Sequence, residues 1–260
     1  MNRRALALLV FAAALLLPGV ALAAAPAAGA AAAAGGLNIS LSGGGMFTDR
    51  IMQIVALITI LSIAPSILIM MTSFVRIVVV LSLLRTALGV QTSPPNSVII
   101  SLSLFLTLFV MTPTLTAAYN QGIAPLMAEK ITTEQAFDRT TEPMKEFMLA
   151  HVREADLKLF LDMSHAKPPA TPAQVALTTL APAFMLSELK RAFEIGFLIF
   201  VPFLIIDMAV ASILMSMGMM MLPPVIISLP FKLIFFVLVD GWRLIAGSLV
   251  ASYLHSPPPT

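Results

Sequence analysis

The sequence predicts an all-α integral membrane protein. Of its 260 residues, 59% are hydrophobic and only 11% are charged, whereas a soluble domain of this size carries about 25% charged residues. Long uncharged runs, such as residues 51–75, are long enough for membrane helices. The net charge of +2 is too small and too scattered for nucleic-acid binding. Because the chain has no cysteine, disulfides, thiolate catalysis and Cys-ligated zinc are excluded.

The N-terminus has the pattern of a secretory signal peptide. Arg3 and Arg4 precede an apolar run of about a dozen residues that ends in a small-x-small site. This pattern predicts a signal peptide at residues 1–23 with cleavage after Ala23, in a bacterial protein. An uncleaved first membrane helix is the alternative, although the run is shorter than the ~20 residues that a span needs. Residues 24–47 form a low-complexity Ala/Gly segment, which we expect to be flexible.

About four hydrophobic segments follow, and they form two predicted helical hairpins. The first hairpin covers residues 48–119 and the second covers residues 191–254. Helix-breaking residues interrupt these segments, namely Pro65, Gly89, Pro113, Pro202, Gly218, Pro230 and Gly241. Broken helices are tolerated where neighbouring protein satisfies the freed backbone groups. The pattern therefore favours a tightly packed assembly over simple lipid anchors.

Residues 120–190 hold most of the charged side chains and are predicted to be a helical, water-facing region. Thr132 and Gln135 have the spacing of a capping box. Apolar residues then recur at helical spacing and predict one amphipathic helix that ends near Ser164. The loop at 76–95 has two arginines and no acid, so the positive-inside rule places it in the cytoplasm, with Arg76 near the membrane boundary. The 120–190 region would then be periplasmic, and residues 255–260 would be a short disordered tail.

No catalytic residue, cofactor site or metal site can be argued from the sequence. The three histidines have no second ligand at metal spacing, so we do not expect an enzyme. Four charges within the apolar segments must face protein or water, because each costs about 3 kcal/mol or more in lipid: Asp207, Lys232, Asp240 and Arg243. They could form a proton or ion pathway, but two acids and two bases can also neutralise one another. We favour this second interpretation, buried packing charges.

A methionine-rich turn separates the last two hydrophobic segments. Its methionines are Met215, Met217, Met219, Met220 and Met221. Methionine is flexible and polarizable, so it re-packs around varied neighbours. The run could simply finish a helix in a crowded core, but it contains Gly218 and ends before two prolines. In a ring of identical subunits, such turns could meet at the axis as a deformable seal.

Three long stretches carry a resemblance to a known family. They are SFVRIVVVLSLLRTALGVQTSPPNSVI at 73–99, SELKRAFEIGFLIFVPFLIIDMAVASILMSMGMMMLPP at 187–224 and ISLPFKLIFFVLVDGWRLI at 227–245. With these stretches, the chain resembles the FliP family of flagellar biosynthetic proteins, which belong to the type III secretion export gate. The resemblance covers nearly all of the chain beyond the low-complexity segment.

The resemblance implies a function, partners and a location. It implies a homo-oligomer of about five copies with FliQ- and FliR-like subunits, in contact with FlhA- and FlhB-like export components. The gate would pass unfolded rod, hook and filament proteins, and the five methionines above would form a gasket at its constriction. The location would be the bacterial inner membrane, in the flagellar basal body, with a large part on the periplasmic side. The hydrophobic segments then need not each cross lipid.

Two alternatives stay open. Virulence-type secretion systems have a closely related gate subunit, but the signal peptide and the N-terminal extension favour the flagellar version. The second alternative is a secondary transporter or proton channel that uses Asp207 and Lys232. Internal repeats would support it, and the sequence shows none.

Overall fold

A computed structural model describes residues 71–90, 92–164, 171, 174–219 and 222–254, together with part of the stretch 51–70. The predicted signal peptide, the Ala/Gly segment and the tail lie outside the described residues. The chain divides into two units, residues 1–67 and residues 68–260. In the first unit, the described positions from Ile51 onward are helical, and the hydroxyl of Thr59 donates to the carbonyl of Val55.

Every regular element described in the second unit is helical, which confirms the predicted all-α class. A π-helical turn at Tyr119–Ile123 joins the second helix to the third. The helices are α1 (Phe74–Ala87), α2 (Asn96–Ala118), α3 (Ala124–Met127), α4 (Thr133–His151), α5 (Glu154–Ser164), α6 (Leu177–Ser216), α7 (Pro224–Leu238) and α8 (Gly241–Leu254).

Helix α1 is the centre of the larger apolar core and packs chiefly against α6. Most of its contact face is buried, and a Cβ at Gly196 of α6 would lie only 2.3 Å from Leu83 Cδ1. Glycine therefore lets the two helices approach closely. The buried core consists of Ile77, Val80, Leu81, Leu84, Ala87, Leu88, Ile99, Ala192, Phe203, Phe236 and Leu249.

A second, smaller core lies where α4 and α5 meet α6. It is formed by Met148, Val175, Leu180 and Phe184. The predicted capping box at the start of α4 is confirmed, because Thr132 Oγ1 accepts from the amide of Gln135 while the amide of Thr132 donates to Gln135 Oε1.

The prediction of one amphipathic helix ending near Ser164 was wrong. Val152 has extended backbone angles (φ −72°, ψ 144°), so α4 ends at His151 and α5 begins at Glu154. Apolar spacing could not show this break, because the apolar residues on both sides of it still face the same core.

Two described stretches are long and apolar enough to cross a membrane: 96–127, and the 40-residue helix α6. Helices α7 and α8 together make a third candidate, bent by 61° between them. Asp240 stands at this bend in the left-handed region, with φ +51°. Helices α2, α6 and α7 continue through Pro113, Pro202 and Pro230. The π turn lies within the first stretch without ending it, and the break in the third candidate is at the α7–α8 bend, so these prolines do not interrupt their helices.

Candidate functional site

The Met-rich turn closes α6 with a Schellman motif. Gly218 has φ +75°, in the left-handed region that favours glycine. The amide of Met219 donates to the carbonyl of Leu214 at 3.0 Å, and the amide of Gly218 donates to the carbonyl of Met215 at 3.1 Å. These two bonds satisfy carbonyls that a helix end otherwise leaves free. The turn is therefore a defined reversal of the chain.

The described methionines of this turn face outward from the single chain. The side chains of Met215, Met217 and Met219 are 58, 65 and 42% exposed, which argues against their being filler in a crowded monomer core. Met220 and Met221 lie outside the described residues. The structure thus places three of the five predicted gasket residues together at one exposed turn, and their role in a gasket stays a prediction.

Asp207 and Lys232 lie together between α6 and α7. Lys232 Nζ donates to Asp207 Oδ2 at 2.6 Å and to the carbonyl of Ala87, at the end of α1, at 3.4 Å. The hydroxyl of Ser228 donates to the second carboxylate oxygen, Asp207 Oδ1. The lysine side chain is 4% exposed and the aspartate side chain 29%. Each charge therefore has a partner within the chain.

Asp240 and Arg243 are placed differently from this pair. Their side chains approach each other only to 3.9 Å at the start of α8, and they are 64 and 87% exposed. Within the single chain these two residues are not buried and do not reach Lys232 or Asp207. Their burial against neighbouring subunits stays a prediction.

Sequence reasoning missed the most deeply buried ion pair, Arg76 with Glu188. The arginine is 1% exposed and the glutamate is 0% exposed, and the position of Arg76 near the membrane boundary stays a prediction. Arg76 Nη2 donates to Glu188 Oε1, and Tyr253 Oη donates to Glu188 Oε2. The guanidinium also lies 4.0 Å from the centroid of the Tyr253 ring, a cation–π contact. Three helices, α1, α6 and α8, meet at this contact.

A signal for this pair was present in the sequence. Arg76 begins the apolar run of α1, where an unpaired charge would be expensive. Glu188 is the first charged residue of α6 and follows an apolar stretch of that helix, from Leu180 to Leu186. The two are 112 positions apart, so no local spacing could connect them.

His151, expected on a water-facing helix, is also buried, at 5% exposure. Its ring lies 4.5 Å from the Phe147 ring and 5.1 Å from the Tyr253 ring, centroid to centroid. Burial lowers the pKa of His151, while the Phe147 carbonyl and the Glu188 carboxylate favour the proton and oppose part of this shift. We call Arg76, His151, Glu188 and Tyr253 the four-helix cluster, because they come from α1, α4, α6 and α8.

The described residues hold no group of three or more His, Asp or Glu side chains placed to bind one metal ion. What the arrangement offers is paired charge between helices and an exposed, deformable apolar turn. Both features suit protein–protein packing.

Comparison with known proteins identifies the family. The model of the FliP family matches residues 57–249. The chain belongs to the FliP family. A flagellar biosynthetic protein FliP of Caulobacter vibrioides is 62% identical over 217 residues, which cover 84% of this chain and 82% of the relative. Its counterparts in Bacillus subtilis and Aquifex aeolicus are 52% and 51% identical, over 84% and 81% of this chain and 98% and 89% of theirs.

The FliP match covers the features described above almost completely. It contains the Arg76–Glu188 pair, the Asp207–Lys232 pair and the Met-rich turn, and it ends four residues before Tyr253. The resemblance argued from the three sequence stretches is thereby confirmed, and the chain is a flagellar biosynthesis protein of the FliP family with apolar helices suited to a membrane.

Proposed function

We propose that this chain is a core subunit of the flagellar type III export gate, through which unfolded rod, hook and filament proteins leave the cytoplasm. FliP-family membership supports a role in flagellar biosynthesis. The observation that carries the finer proposal is the exposed Met-rich turn at the end of α6. Large apolar side chains at a defined turn need a partner, because water solvates them poorly.

The partner of the turn is the same turn from other copies of the chain. Around a symmetric ring, identical turns meet at the axis and bury one another's methionine side chains. Unbranched methionine side chains re-pack at little cost, so a seal of this kind can part around a polypeptide of any sequence and close again. Gly218 fixes the direction in which the chain reverses, and Met215, Met217 and Met219 supply the contact surface, continued by Met220 and Met221.

The gate would contain about five copies of the chain with FliQ- and FliR-like subunits, next to FlhA- and FlhB-like export components. It would lie in the inner membrane at the flagellar basal body, with residues 120–190 on the periplasmic side and residues 1–23 removed as a signal peptide. A virulence-type gate would use the same geometry. The flagellar relatives favour the flagellar assignment.

The charges in the apolar helices have a packing role in this proposal. Asp207 and Lys232 neutralise each other inside the chain, and both carboxylate oxygens of Asp207 accept hydrogen bonds. A carrier site would need these groups to be released to an ion, at the cost of leaving Lys232 unpaired among apolar side chains. Asp240 and Arg243 would pair with neighbouring subunits.

The test replaces Met219, Met220 and Met221 together with alanine in cells that build flagella. We expect ion leakage across the inner membrane, because three long side chains are shortened at the seal, with the purified complex unchanged in size. Export of a hook protein into the medium is followed in the same cells. A matched control carries Met127→Ala and Met163→Ala, which are 74 and 64% exposed but lie on α3 and α5, far along the chain from the turn.

Leakage in the triple variant but not in the control supports a seal. An intact complex with no leakage and normal export contradicts it and reduces the turn to a packing element. Equal leakage in both variants would also contradict it, because the effect would then not depend on the turn.

A further inference from the structure

Helix α2 buries hydroxyl side chains and exposes its two phenylalanines. Ser103 and Thr107 lie in the middle of the buried face, at 0 and 5% exposure, and their hydroxyls donate to the carbonyls of Ile99 and Ser103, each at 2.7 Å. Phe105 and Phe109 are instead 68 and 66% exposed. A helix whose outer side is in water has the opposite arrangement, with its polar residues outside.

The buried face of α2 packs against α1, α4 and α8. Three of its residues are small, namely Ser103, Thr107 and Ala118. Small side chains are typical of contacts between membrane helices, because they let the two backbones come close. The large exposed side chains form a separate surface, which we call the outer face of α2: Val98, Ile100, Phe105, Leu108, Phe109 and Leu115.

No charge lies on α2, and the hydroxyl nearest the centre of its exposed side is bonded within the helix. The sequence has no charged residue between Arg85 and Glu129. The central hydroxyl belongs to Thr112 and donates to the carbonyl of Leu108 at 2.6 Å. Hydrocarbon offers a polar group no water to bond, so a hydroxyl bonded to its own helix is suited to that surrounding. The other exposed hydroxyls of α2 lie within two turns of its ends, namely Ser97, Ser101 and Thr116.

The length of α2 matches the thickness of the hydrocarbon layer. Its 23 residues extend over about 35 Å, and the layer is ~30 Å thick. Polar residues are exposed at both ends, Asn96 with Ser97 at the start and Tyr119 with Asn120 just beyond the last residue. Tyrosine is enriched where lipid meets water. The apolar outer face thus begins and ends at the boundaries that a bilayer would set.

The other two candidate membrane stretches expose charges. On α6, Lys190 and Glu194 are 50 and 61% exposed. Asp240 and Arg243, at the bend between α7 and α8, are 64 and 87% exposed. A charge that faces hydrocarbon is expensive. Among the candidate stretches in the described residues, α2 is therefore the helix whose exposed side suits lipid along its whole length.

We propose that the outer face of α2 lies against the acyl chains of the bilayer, which puts α2 on the outside of any assembly of this chain. The uncharged face is complementary to uncharged hydrocarbon. A contact with another subunit would not require the face to exclude charge over its whole length, nor to end at two boundaries one hydrocarbon layer apart. The proposal rests on the membrane location proposed above, but not on the Met-rich seal or on export.

Site-specific photo-cross-linking identifies what touches the outer face. The full-length protein carries p-benzoylphenylalanine in place of Phe105 or of Phe109, the cells are irradiated, and the protein is purified from washed membranes. We expect intact-mass spectrometry to show an adduct of one phospholipid at each position, with no cross-linked polypeptide. The matched control carries the same group in place of Phe137, which is 64% exposed but lies on the charged helix α4, and it should show no lipid adduct.

A cross-link from positions 105 and 109 to a polypeptide, without a lipid adduct, overturns the proposal and makes another subunit, such as a second copy of this chain, the partner. The absence of any cross-link at both positions overturns it as well, because a face in water has no lipid to react with. Lipid adducts as abundant at position 137 as at position 105 also contradict it, since contact with lipid would then not be a property of α2.

The wild-type protein decides the question if the modified proteins do not accumulate. It is placed in vesicles that contain a phospholipid with a diazirine in its acyl chain, and the irradiated sites are mapped by fragment mass spectrometry. Adducts within residues 98–115 support the lipid contact, and their absence there overturns it. The membrane location is tested separately: absence of the protein from washed membranes contradicts location and lipid contact together, whereas a polypeptide cross-link within the membrane fraction contradicts the lipid contact alone.

Discussion

At the scale of single residues, the two ion pairs differ in how far water reaches them. The side chains of Arg76 and Glu188 are 1 and 0% exposed, whereas Asp207 keeps 29% of its surface. Removing one partner of a fully buried pair leaves an uncompensated charge, which costs about 3–5 kcal/mol. Where water still reaches the remaining group, it screens that charge and lowers the cost.

We therefore predict that Glu188→Gln lowers the free energy of unfolding more than Lys232→Met does, because the charge left by the second change is the partly exposed Asp207. The first change removes the carboxylate charge but keeps the shape, so Arg76 stays buried without a counter-ion, at a cost of about 3–5 kcal/mol. The measurement is the thermal unfolding midpoint of each full-length variant in the same detergent.

The double variant Arg76→Met with Glu188→Met serves as the control for charge. It removes both charges together and should recover much of the loss, because well-packed apolar residues replace a buried pair at little cost. If the double variant is as unstable as Glu188→Gln, packing and not charge explains the loss. Equal effects of the two single changes would contradict the argument from exposure.

At the scale of elements, Gly122 allows the π turn between α2 and α3 to pack closely against α4. A Cβ built at Gly122 would lie 1.9 Å from Thr140 Oγ1, and 2.8 and 2.9 Å from the backbone atoms Ala136 O and Thr140 N. The side chain of Thr140 can rotate, but the backbone of α4 cannot move without its helix. The close approach of these two elements therefore depends on the missing side chain.

Gly122→Ala is predicted to destabilise the protein by about 1–3 kcal/mol, the usual cost of forcing extra atoms into a packed contact. Gly247→Ala in α8 is its matched control, because a Cβ there meets nothing within 4 Å. Alanine gains about 0.5–1 kcal/mol over glycine inside a helix, so the control should be neutral or slightly more stable. Unfolding midpoints of the two variants in detergent check the sign of each effect. Equal shifts would show that the contact with α4 does not matter.

At the scale of the whole molecule, composition and local patterns predicted the all-α class and the capping box at Thr132, and the resemblance of three sequence stretches predicted the family. These predictions succeeded because each depends on residues that are close to one another in the sequence. The contacts of Arg76, Glu188 and His151 could not be predicted this way, since they depend on how α1, α4, α6 and α8 pack. The end of α4 at His151 was missed for a related reason: it lies between two helices that share one apolar face.

The length of α6 makes one further prediction about the molecule in its membrane. Forty residues of helix extend over about 60 Å, twice the ~30 Å of a hydrocarbon layer, so only part of α6 can lie in lipid. The charged part of α6 is the part that we expect to lie outside the lipid, because Lys190 and Glu194 are 50 and 61% exposed there. The large exposed side chains farther along, such as Leu204 at 55%, are apolar.

Because the chain has no cysteine, single cysteines report on this directly. We predict that Lys190→Cys reacts rapidly with a water-soluble maleimide in open membrane fragments, where both faces are accessible. Leu204→Cys, about 21 Å farther along the helix, should react slowly, because lipid or neighbouring subunits cover it. Both should react equally in denaturant, which controls for the reagent. Fast labelling at position 204 in the membrane would contradict this assignment and place that part of α6 beside a water-filled path, where an open channel through the assembly would have to run.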